Sequence, residues 1–407
     1  MIKVLHVIDK MNPEKGGVCQ AVRTIAFGLN SKGVQNEIVS LDNQNSVFLN
    51  KDRLTIHAIG PADNPWAYNS NLHIWLAENI LRFNVIIVHG LWQYPSYVVN
   101  KILLKMQKAS FIGDENEEYA KLFIMPHGML DPYFQRASGR KLKALRNLLY
   151  WKLIEGKVVN NAYGLLFTCE AERKLAHEPF KPYYPKREFV VGLGVEAPPK
   201  FKSSMIKSFQ KQCSKLKSEP YLLFLSRIHE KKGVDLLLLA YLKVITSIKE
   251  KRKDFEIFPK LVIAGPGIET SYGKKILEIV NHDSLLKQNV FFPGMLKGDA
   301  KWGAFYGCEA FLLPSHQENF GIAVVEALAC NKPVLISNQV NIWTEIKEYG
   351  AGIVDEDTLD GTYNIIKVFM DLSPVEKEKM NYKARGCFEK YFAVEPATDS
   401  ILKVISL

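Results

Sequence analysis

The sequence predicts an α/β protein built from two domains, each containing a doubly wound parallel sheet. Short β-branched or apolar runs alternate with longer stretches of helical periodicity, and this alternation restarts in the second half of the chain. A segment rich in Pro, Lys and Ser, residues 196–220, separates the two series. With 407 residues, 47% of them hydrophobic, the chain is long enough to bury two cores.

The two series predict domains over residues 1–196 and 197–391. The first has the strand patterns VLHVI (4–8), EIVSL (37–41), VIIVHG (85–90) and KLFIM (121–125), with a helical pattern at 18–29. The second has YLLFLSRI (221–228), KLVIAGPG (260–267), NVFFPG (289–294), AFLLPS (310–315) and KPVLIS (332–337). Ligands of such sheets bind beyond the carboxyl ends of the strands, so we expect a cleft between the domains, lined by strand-to-helix loops.

The cysteines and the apolar runs favour a cytoplasmic protein. The six cysteines lie far apart without a CxxC pair, which argues against a disulfide framework and against a cysteine-rich zinc site. The opening MIKVLHVIDK runs directly into a strand pattern and does not resemble a signal peptide. No apolar run reaches the roughly 18 residues of a membrane span.

The net charge of +10 is concentrated in residues 136–157, which contain seven Lys or Arg residues and one acidic residue, Glu155. Four leucines recur there at helical spacing: Leu142, Leu145, Leu149 and Leu153. A half-buried helix is one interpretation, and docking on an anionic membrane, the inner face of the cell membrane, is the other. Nucleic acid is not an expected partner, because no helix-turn-helix, zinc or RNA-binding motif accompanies the charge.

The strongest functional pattern is PSHQENFGIAVVEALAC, residues 314–330. Gly321 and the apolar run after it predict a helix that begins near residues 319 and 320, which leaves backbone amides there to bind an anion. Glu326 would lie on the first turns of that helix, where its carboxylate can accept both hydroxyls of a ribose. Glu318, in the loop, would face a sugar. A surface helix residue and a solvated loop residue are the alternative interpretations.

The segment LSRIHEKKGVDLLLLA, residues 225–240, carries two candidate anion-binding cations. Arg227 closes a strand pattern, and Lys232 stands five residues further on, just before a glycine and a new helix. Two fixed cations beside a cleft can hold a departing diphosphate. A solvated basic turn is the alternative interpretation.

The first domain offers two weaker candidates. Gly16 and Gly17 lie between the first strand and a helix, where a ligand can approach the backbone, although an ordinary tight turn is more common and the GxGxxG pattern is absent. His127, in PHGMLDP after the KLFIM strand, is placed to bind a sugar hydroxyl, whereas a lone histidine more often packs. His89 follows another strand and is a weaker candidate.

Taken in order, SRIHEKKG, VIAGPG, VFFPG, AFLLPS and ENFGIAVVEALAC resemble the family 4 retaining glycosyltransferases. The resemblance covers most of the second domain. In the first domain, the GGV loop and the HGLW and PHGML segments resemble bacterial enzymes of surface-polysaccharide assembly. The resemblance implies the GT-B fold, with two Rossmann-like domains facing a cleft and with residues 392–407 crossing back onto the first domain.

The resemblance also implies an activity and a set of roles. It implies retaining transfer of a hexosyl group from a nucleotide diphosphate sugar to a glycan or lipid-linked saccharide, in polysaccharide, lipopolysaccharide or glycolipid biosynthesis, without metal or cofactor. Catalytic roles are implied for Arg227, Lys232, Glu318 and His127. Donor-binding roles are implied for Gly16, Gly17, Arg227, Lys232, Gly265, Phe292, Glu318, Asn319, Phe320, Gly321 and Glu326.

Three other interpretations remain open. Asp355-Glu356-Asp357 spells the DxD pattern that other glycosyltransferases use to hold a metal, but its late position favours an acidic turn before a helix. A sugar nucleotide epimerase of the same architecture would use acidic residues across the cleft. An inactive homologue would bind nucleotide sugars without turning them over.

Overall fold

The structure is a computed structural model that describes residues 2–110, 119–251 and 258–407. It divides into two compact units. The first comprises the chain through Gly194 together with Val394–Leu407, and the second is Val195–Ala393.

The first unit is built on one parallel sheet. Its described strands are β1 (Lys3–Ile8), β2 (Gln35–Asn43), β3 (Thr55–Gly60), β4 (Val85–His89), β5 (Lys121–Met125), β6 (Gly164–Phe167) and β7 (Glu188–Val190). They pair in the order β3-β2-β1-β4-β5-β6-β7. Every residue of β4 is buried, as expected for a central parallel strand covered on both faces.

Helices cover both faces of this sheet. The described helices are α1 (Gly17–Ser31), α2 (Ser70–Asn79), α3 (Tyr94–Ser110), α4 (Tyr133–Arg136), α5 (Lys141–Tyr150), α6 (Gly156–Asn161) and α7 (Glu170–Leu175), and a π-helical turn, Trp151–Glu155, joins α5 to α6. Leu5 and Val7 of β1 pack into one hydrophobic cluster, whereas Ile8 packs into a second with Val22 of α1. The alternation of buried side chains along β1 therefore supplies two cores.

The second unit repeats the plan. Its described strands are β8 (Tyr221–Leu225), β9 (Lys260–Ala264), β10 (Val290–Gly294), β11 (Ala310–Leu313), β12 (Val334–Ser337) and β13 (Gly352–Asp355), which pair in parallel in the order β10-β9-β8-β11-β12-β13. Its described helices are α8 (Ser203–Gln212), α9 (Val234–Lys251), α10 (Ser271–His282), α11 (Ser284–Asn289), α12 (Gly298–Gly307), α13 (Ile322–Ala329), α14 (Trp343–Tyr349), α15 (Leu359–Asp371) and α16 (Pro374–Cys387). A π-helical turn, Phe388–Phe392, follows α16.

The last helix, α17 (Val394–Ile405), belongs to the first unit and packs on α1. Lys32, just after α1, forms an ion pair with Asp399 at 2.7 Å between Nζ and Oδ1. Gly28 allows the two helices to approach, because a Cβ there would lie 2.1 Å from Thr398 Oγ1.

The strand patterns predicted from the sequence are confirmed as β1, β2, β4, β5 and β8–β12. The segment 196–220 contains no described strand, but it does contain α8, which lies against α12 where Gly303 leaves room for the carbonyl of Met205. Within residues 2–110, 119–251 and 258–407, no helix combines the length and the apolar character that a bilayer crossing requires.

Candidate functional site

The second unit brings the two main sequence motifs together at the point where its strand order reverses. Strands β8 and β11 are neighbours, and the chain leaves them in opposite directions, to β9 and to β12. The loop after β11 is fixed to the loop after β8, because His316 N and Ser315 Oγ each donate to the Lys231 carbonyl at 2.9 Å. Ligands of open α/β sheets bind at such a switch point.

Lys232 and Glu318 form an ion pair across these two loops. Lys232 ends a 3₁₀ turn and is 6% exposed, and its Nζ donates to Glu318 Oε2. The backbone of Glu318 is held on both sides: its N–H donates to the Gln339 carbonyl at 2.9 Å, and its carbonyl accepts from Asn341 N at 2.9 Å. These two bonds fix the backbone that carries Glu318.

Arg227 lies two residues after the end of β8 and is exposed. Within residues 2–110, 119–251 and 258–407, its guanidinium has no hydrogen-bond or ion-pair partner. Of the two cations that the sequence indicated, Lys232 is buried against a carboxylate and Arg227 is open to an incoming anion.

Helix α13 begins at Ile322, later than residues 319 and 320, where the sequence pattern predicts its start. Gly321 is its N-cap and adopts the left-handed conformation (φ 75°), and no side chain in the described ranges caps the helix. Phe320 is buried and packs edge-on against Phe392, with ring centroids 5.8 Å apart. The first-turn amides of α13 therefore lack a side-chain acceptor and can bind an anion.

Glu326, on the second turn of α13, pairs with a lysine that lies outside the sequence motifs. Lys301 of α12 donates from Nζ to Glu326 Oε1 at 2.6 Å. Burial raises the pKa of Glu326, and the attraction of Lys301 opposes that shift. The carboxylate retains Oε2 for a further partner such as a ribose hydroxyl.

Gly265 and Phe292 are placed differently from each other. Gly265 follows β9 with φ 138°, and a Cβ there would lie 1.9 Å from the Ser226 carbonyl oxygen, so the loops after β8 and β9 require glycine for close packing. Phe292 lies within β10 and lines a cavity of about 390 Å³. The same cavity is lined by Lys287, which precedes β10, and by residues 212–215, which precede β8.

The acidic triplet forms the predicted turn before a helix. Asp355 ends β13, and Asp357, ahead of α15, has its Oδ2 2.8 Å from His316 Nδ1. In the part of the chain that the structure describes, no group of three or more His, Cys, Asp or Glu side chains is placed to share a metal ion.

In the first unit, the glycine pair and the histidine stand at separate strand ends. Gly16 (φ 115°) is the N-cap of α1, Gly17 is its first residue, and the space around Gly16 is open. His127 follows β5 in the left-handed region (φ 52°), which is uncommon for a non-glycine residue and is typical of functional loops. Its loop is pinned by buried Glu172, which accepts from Gly128 N at 2.6 Å.

His127 is the end of a chain of three histidines. His6 Nδ1 lies 3.0 Å from His89 Nε2, and His89 Nδ1 lies 3.0 Å from His127 Nε2. Burial lowers the pKa of His6 and of His127 to about 4, and that of His89 well below its ordinary value. All three imidazoles are therefore neutral at pH 7. The sequence indicated His127 and, more weakly, His89, whereas His6 was not predicted to take part.

We expect acid to destabilise the first unit through His6. Because its pKa is about 4 in the folded protein and about 6.5 in the unfolded chain, the unfolded state takes up the proton first as the pH falls. The stability contributed by neutral His6 is complete above pH 6.5 and is lost between pH 6.5 and 4, by about 3 kcal/mol. Urea unfolding at pH 7 and at pH 4.5 should show a smaller loss for His6→Phe than for wild type. Exposed His73→Gln should keep the wild-type loss, and equal losses in all three proteins would contradict the assignment.

Comparisons of the sequence and of the structure both find similarity to glycosyltransferases. Residues 206–380 match the family model described as Glycosyl transferases group 1. An uncharacterized glycosyltransferase of Methanocaldococcus jannaschii is 29% identical over 146 residues, 36% of this chain and 34% of that protein. The chain spans about a third of the length of the curated relatives it matches.

Two solved structures are similar over the whole chain. HepE of Anabaena, crystallised with UDP and glucose, superimposes with a TM-score of 0.70 at 16% identity and covers 100% of both chains. A glycosyltransferase from Rickettsia africae superimposes with a TM-score of 0.73 at 16% identity, covering 100% of this chain and 98% of that one. The fold is thus GT-B, with two Rossmann-like parallel-sheet domains. The match to the model described as Glycosyl transferases group 1 lies within the second unit.

Proposed function

We propose that this protein is a retaining, metal-independent glycosyltransferase that moves a hexosyl group from a nucleotide diphosphate sugar to a glycan or lipid-linked saccharide. The observation that carries the proposal is the arrangement at the β8 and β11 switch point. There a buried lysine, an open arginine and an uncapped helix start lie on two loops that are bonded to each other. The family match of residues 206–380 and the nucleotide seen in HepE support the same class of donor.

The diphosphate is the natural ligand of the positive groups. Lys232 and Arg227 supply two cations, and the amides at the start of α13 supply neutral donors aligned with the helix dipole. Glu326 binds the ribose through its carboxylate, and Glu318, together with Asn319 and the amides that follow, binds the donor sugar. Lys232 then divides its contacts between Glu318 and the diphosphate.

The reaction follows from where charge develops. The bond between the anomeric carbon and the diphosphate oxygen breaks, and the acceptor hydroxyl forms its bond on the same face of the sugar, so that configuration is retained. The proton of that hydroxyl passes to the departing diphosphate. Lys232, Arg227 and the helix amides stabilise the growing negative charge in place of a divalent cation, and stabilisation of this kind often contributes more than any other effect to lowering the barrier.

A nucleotide panel tests the proposal without a known acceptor. Ligands that bind only the folded state raise its unfolding midpoint by mass action, so UDP, GDP, ADP and their sugar conjugates should be compared with and without EDTA. We expect one nucleotide family to stabilise the protein equally in both conditions, and Arg227→Ala and Glu326→Ala to abolish the shift.

The other outcomes identify the alternatives. No shift with any nucleotide at millimolar concentration overturns the transferase proposal. Binding of a nucleotide sugar without turnover of any saccharide acceptor indicates an inactive homologue. Conversion of the nucleotide sugar into an isomer, without an acceptor, indicates an epimerase.

We further propose that the enzyme works at the inner face of the cell membrane, in polysaccharide, lipopolysaccharide or glycolipid biosynthesis. The leucines of the basic stretch are not buried, in contrast to the half-buried helix that their spacing also allowed. Their exposed fractions are 86% for Leu142, 56% for Leu145, 53% for Leu149 and 69% for Leu153. Exposed leucines among lysines and arginines fit an anionic bilayer, where each basic residue contributes about 1 kcal/mol.

Vesicle binding checks this surface. We expect the protein to sediment with vesicles that contain phosphatidylglycerol and to stay in solution with pure phosphatidylcholine. The double variant Leu142→Ser/Leu149→Ser should weaken binding about tenfold or more, because each leucine contributes roughly 1 kcal/mol or more of apolar burial. Val375→Ser is the matched control, since Val375 is 75% exposed on the second unit. Equal binding by both variants would contradict the docking surface.

A further inference from the structure

Four polar side chains form a continuous hydrogen-bonded row across the sheet of the first unit. Asn36 lies on β2, His6 on β1 and His89 at the end of β4, and His127 follows the end of β5. These four strands are neighbours in the sheet. His6 Nε2 lies 3.0 Å from Asn36 Oδ1, and both histidine contacts that follow are also 3.0 Å. His6 is fully buried, and His89 and Asn36 are 5% and 8% exposed.

The orientation of the Asn36 amide is fixed by its surroundings. Its Nδ2 donates to Asn30 Oδ1 at 2.8 Å and to the Val34 carbonyl at 3.0 Å. Rotating the amide would place Oδ1 against these oxygens, which accept but do not donate in the bonds they make here. Oδ1 of Asn36 therefore faces His6.

That orientation determines which ring nitrogen carries the proton in each of the three histidines. Because Asn36 Oδ1 can only accept, His6 carries its proton on Nε2, and its Nδ1 is left to accept from His89 Nε2. The same step repeats, so that His89 Nδ1 accepts from His127 Nε2. The low pKa values of these rings keep each one neutral, with a single proton, at pH 7.

We propose that Asn36, acting through His6 and His89, fixes the tautomer of His127 and presents His127 Nδ1 as a hydrogen-bond acceptor for a substrate hydroxyl. His127 is half-buried, and its Nδ1 has no hydrogen-bond partner in the described ranges of the chain. A phosphate or carbonyl oxygen only accepts hydrogen bonds, so it cannot form one with this atom. Asn36, His6 and His89 are positioning residues. That the hydroxyl belongs to a saccharide rests on the proposed function, whereas the tautomer does not.

Nuclear magnetic resonance of ¹⁵N-histidine-labelled protein tests the tautomer without any substrate. We expect His6, His89 and His127 each to carry a proton on Nε2 and none on Nδ1 at pH 7, with Nε2 protons protected from exchange by the row. A neutral His127 with its proton on Nδ1 overturns the proposal. In His6→Phe, which cannot accept from His89, protection of the His89 and His127 protons should be lost.

Kinetics with the donor found in the nucleotide panel test the consequence. His6→Phe should lower kcat/KM about fivefold, the factor given by one neutral hydrogen bond of about 1 kcal/mol. His6→Gln, whose amide can both donate to Asn36 and accept from His89, should recover most of that loss, and exposed His73→Gln should match wild type. A merely structural role would lower the folding midpoint of both His6 variants without this difference in kcat/KM.

The two proposals fail separately. Unchanged exchange protection and tautomer in His6→Phe overturn the histidine row, whatever the activity. If wild type turns over no nucleotide sugar, the transferase proposal fails, and the resonance experiment still decides the row.

Discussion

Replacing Lys232 with glutamine is expected to lower turnover by about 10² to 10³-fold. Lys232 is the buried cation of the switch-point loops and pairs with Glu318. In the proposed reaction its ammonium stabilises the diphosphate as the sugar leaves. Loss of one preorganised group at such a position costs about 3 to 4 kcal/mol in other enzymes. Steady-state rates at saturating donor measure the effect, because a group that acts only on the leaving diphosphate changes kcat more than KM.

The ion pair with Glu318 supplies the control for this prediction. If Lys232 served only to neutralise Glu318, Lys232→Gln/Glu318→Gln would be as active as Glu318→Gln alone. We expect the double variant to be clearly less active than Glu318→Gln. Lys231→Gln, one residue away on the same turn, should keep activity within about twofold, since no donor contact is proposed for Lys231 and substitutions away from a site usually change energies by less than about 0.5 kcal/mol. Full activity in Lys232→Gln, with folding preserved, would overturn its catalytic role.

The central strands could be predicted because burial on both faces leaves a continuous apolar run. VIIVH and YLLFL show this pattern and became β4 and β8. The strands that the sequence did not reveal lie at or near the edges of the sheets or are short. β3 is mostly half-buried and contains His57, β7 has three residues, and β13 is half-buried throughout. β6 is buried but has only four residues. Such strands are too short, or bury too little side chain, to impose a recognisable period.

The start of α13 shows how tertiary contacts override a local pattern. Glu318 pairs with Val340 as an isolated parallel bridge, and Asn319 and Phe320, where the sequence placed the helix start, form a bend. The turn into the helix then falls on Gly321, where the left-handed conformation favours glycine. The sequence correctly placed the motif between a strand and a helix. Only the residue at which the helix begins depended on β12 and the loop after it.

Some residues of the candidate site were recognisable because each follows a strand pattern closely in the sequence, whereas others come together only in the fold. Lys232, Glu318 and Glu326 lie in loops and a helix that immediately follow strand patterns. Lys301 reaches Glu326 from α12, and Asn36 reaches His6 from a neighbouring strand, so no local spacing predicts either pair. One signal was present: His6 interrupts the apolar run VLHVI, and a histidine inside a central strand needs buried partners.

Gly265→Ala is expected to destabilise the second unit by about 4 kcal/mol, which lowers the unfolding midpoint by about 10 °C. Gly265 has φ 138°, a region essentially closed to residues with a Cβ, and the added carbon would lie 1.9 Å from the Ser226 carbonyl oxygen and 2.8 Å from its carbon. Both are backbone atoms between paired strands, so neither can move aside as a flexible side chain could. Thermal unfolding of the purified variant measures the loss.

Gly294→Ala is the matched control, because Gly294 lies next to Gly265 and accepts its N–H at 2.8 Å. Gly294 also has a positive φ, 76°, but nothing lies within 4 Å of an added Cβ. Its variant should therefore show only the cost of the left-handed conformation, about 1 kcal/mol. If Gly265→Ala instead unfolds like Gly294→Ala but no longer binds the nucleotide that stabilises wild type, Gly265 serves the donor rather than the packing of the loops after β8 and β9.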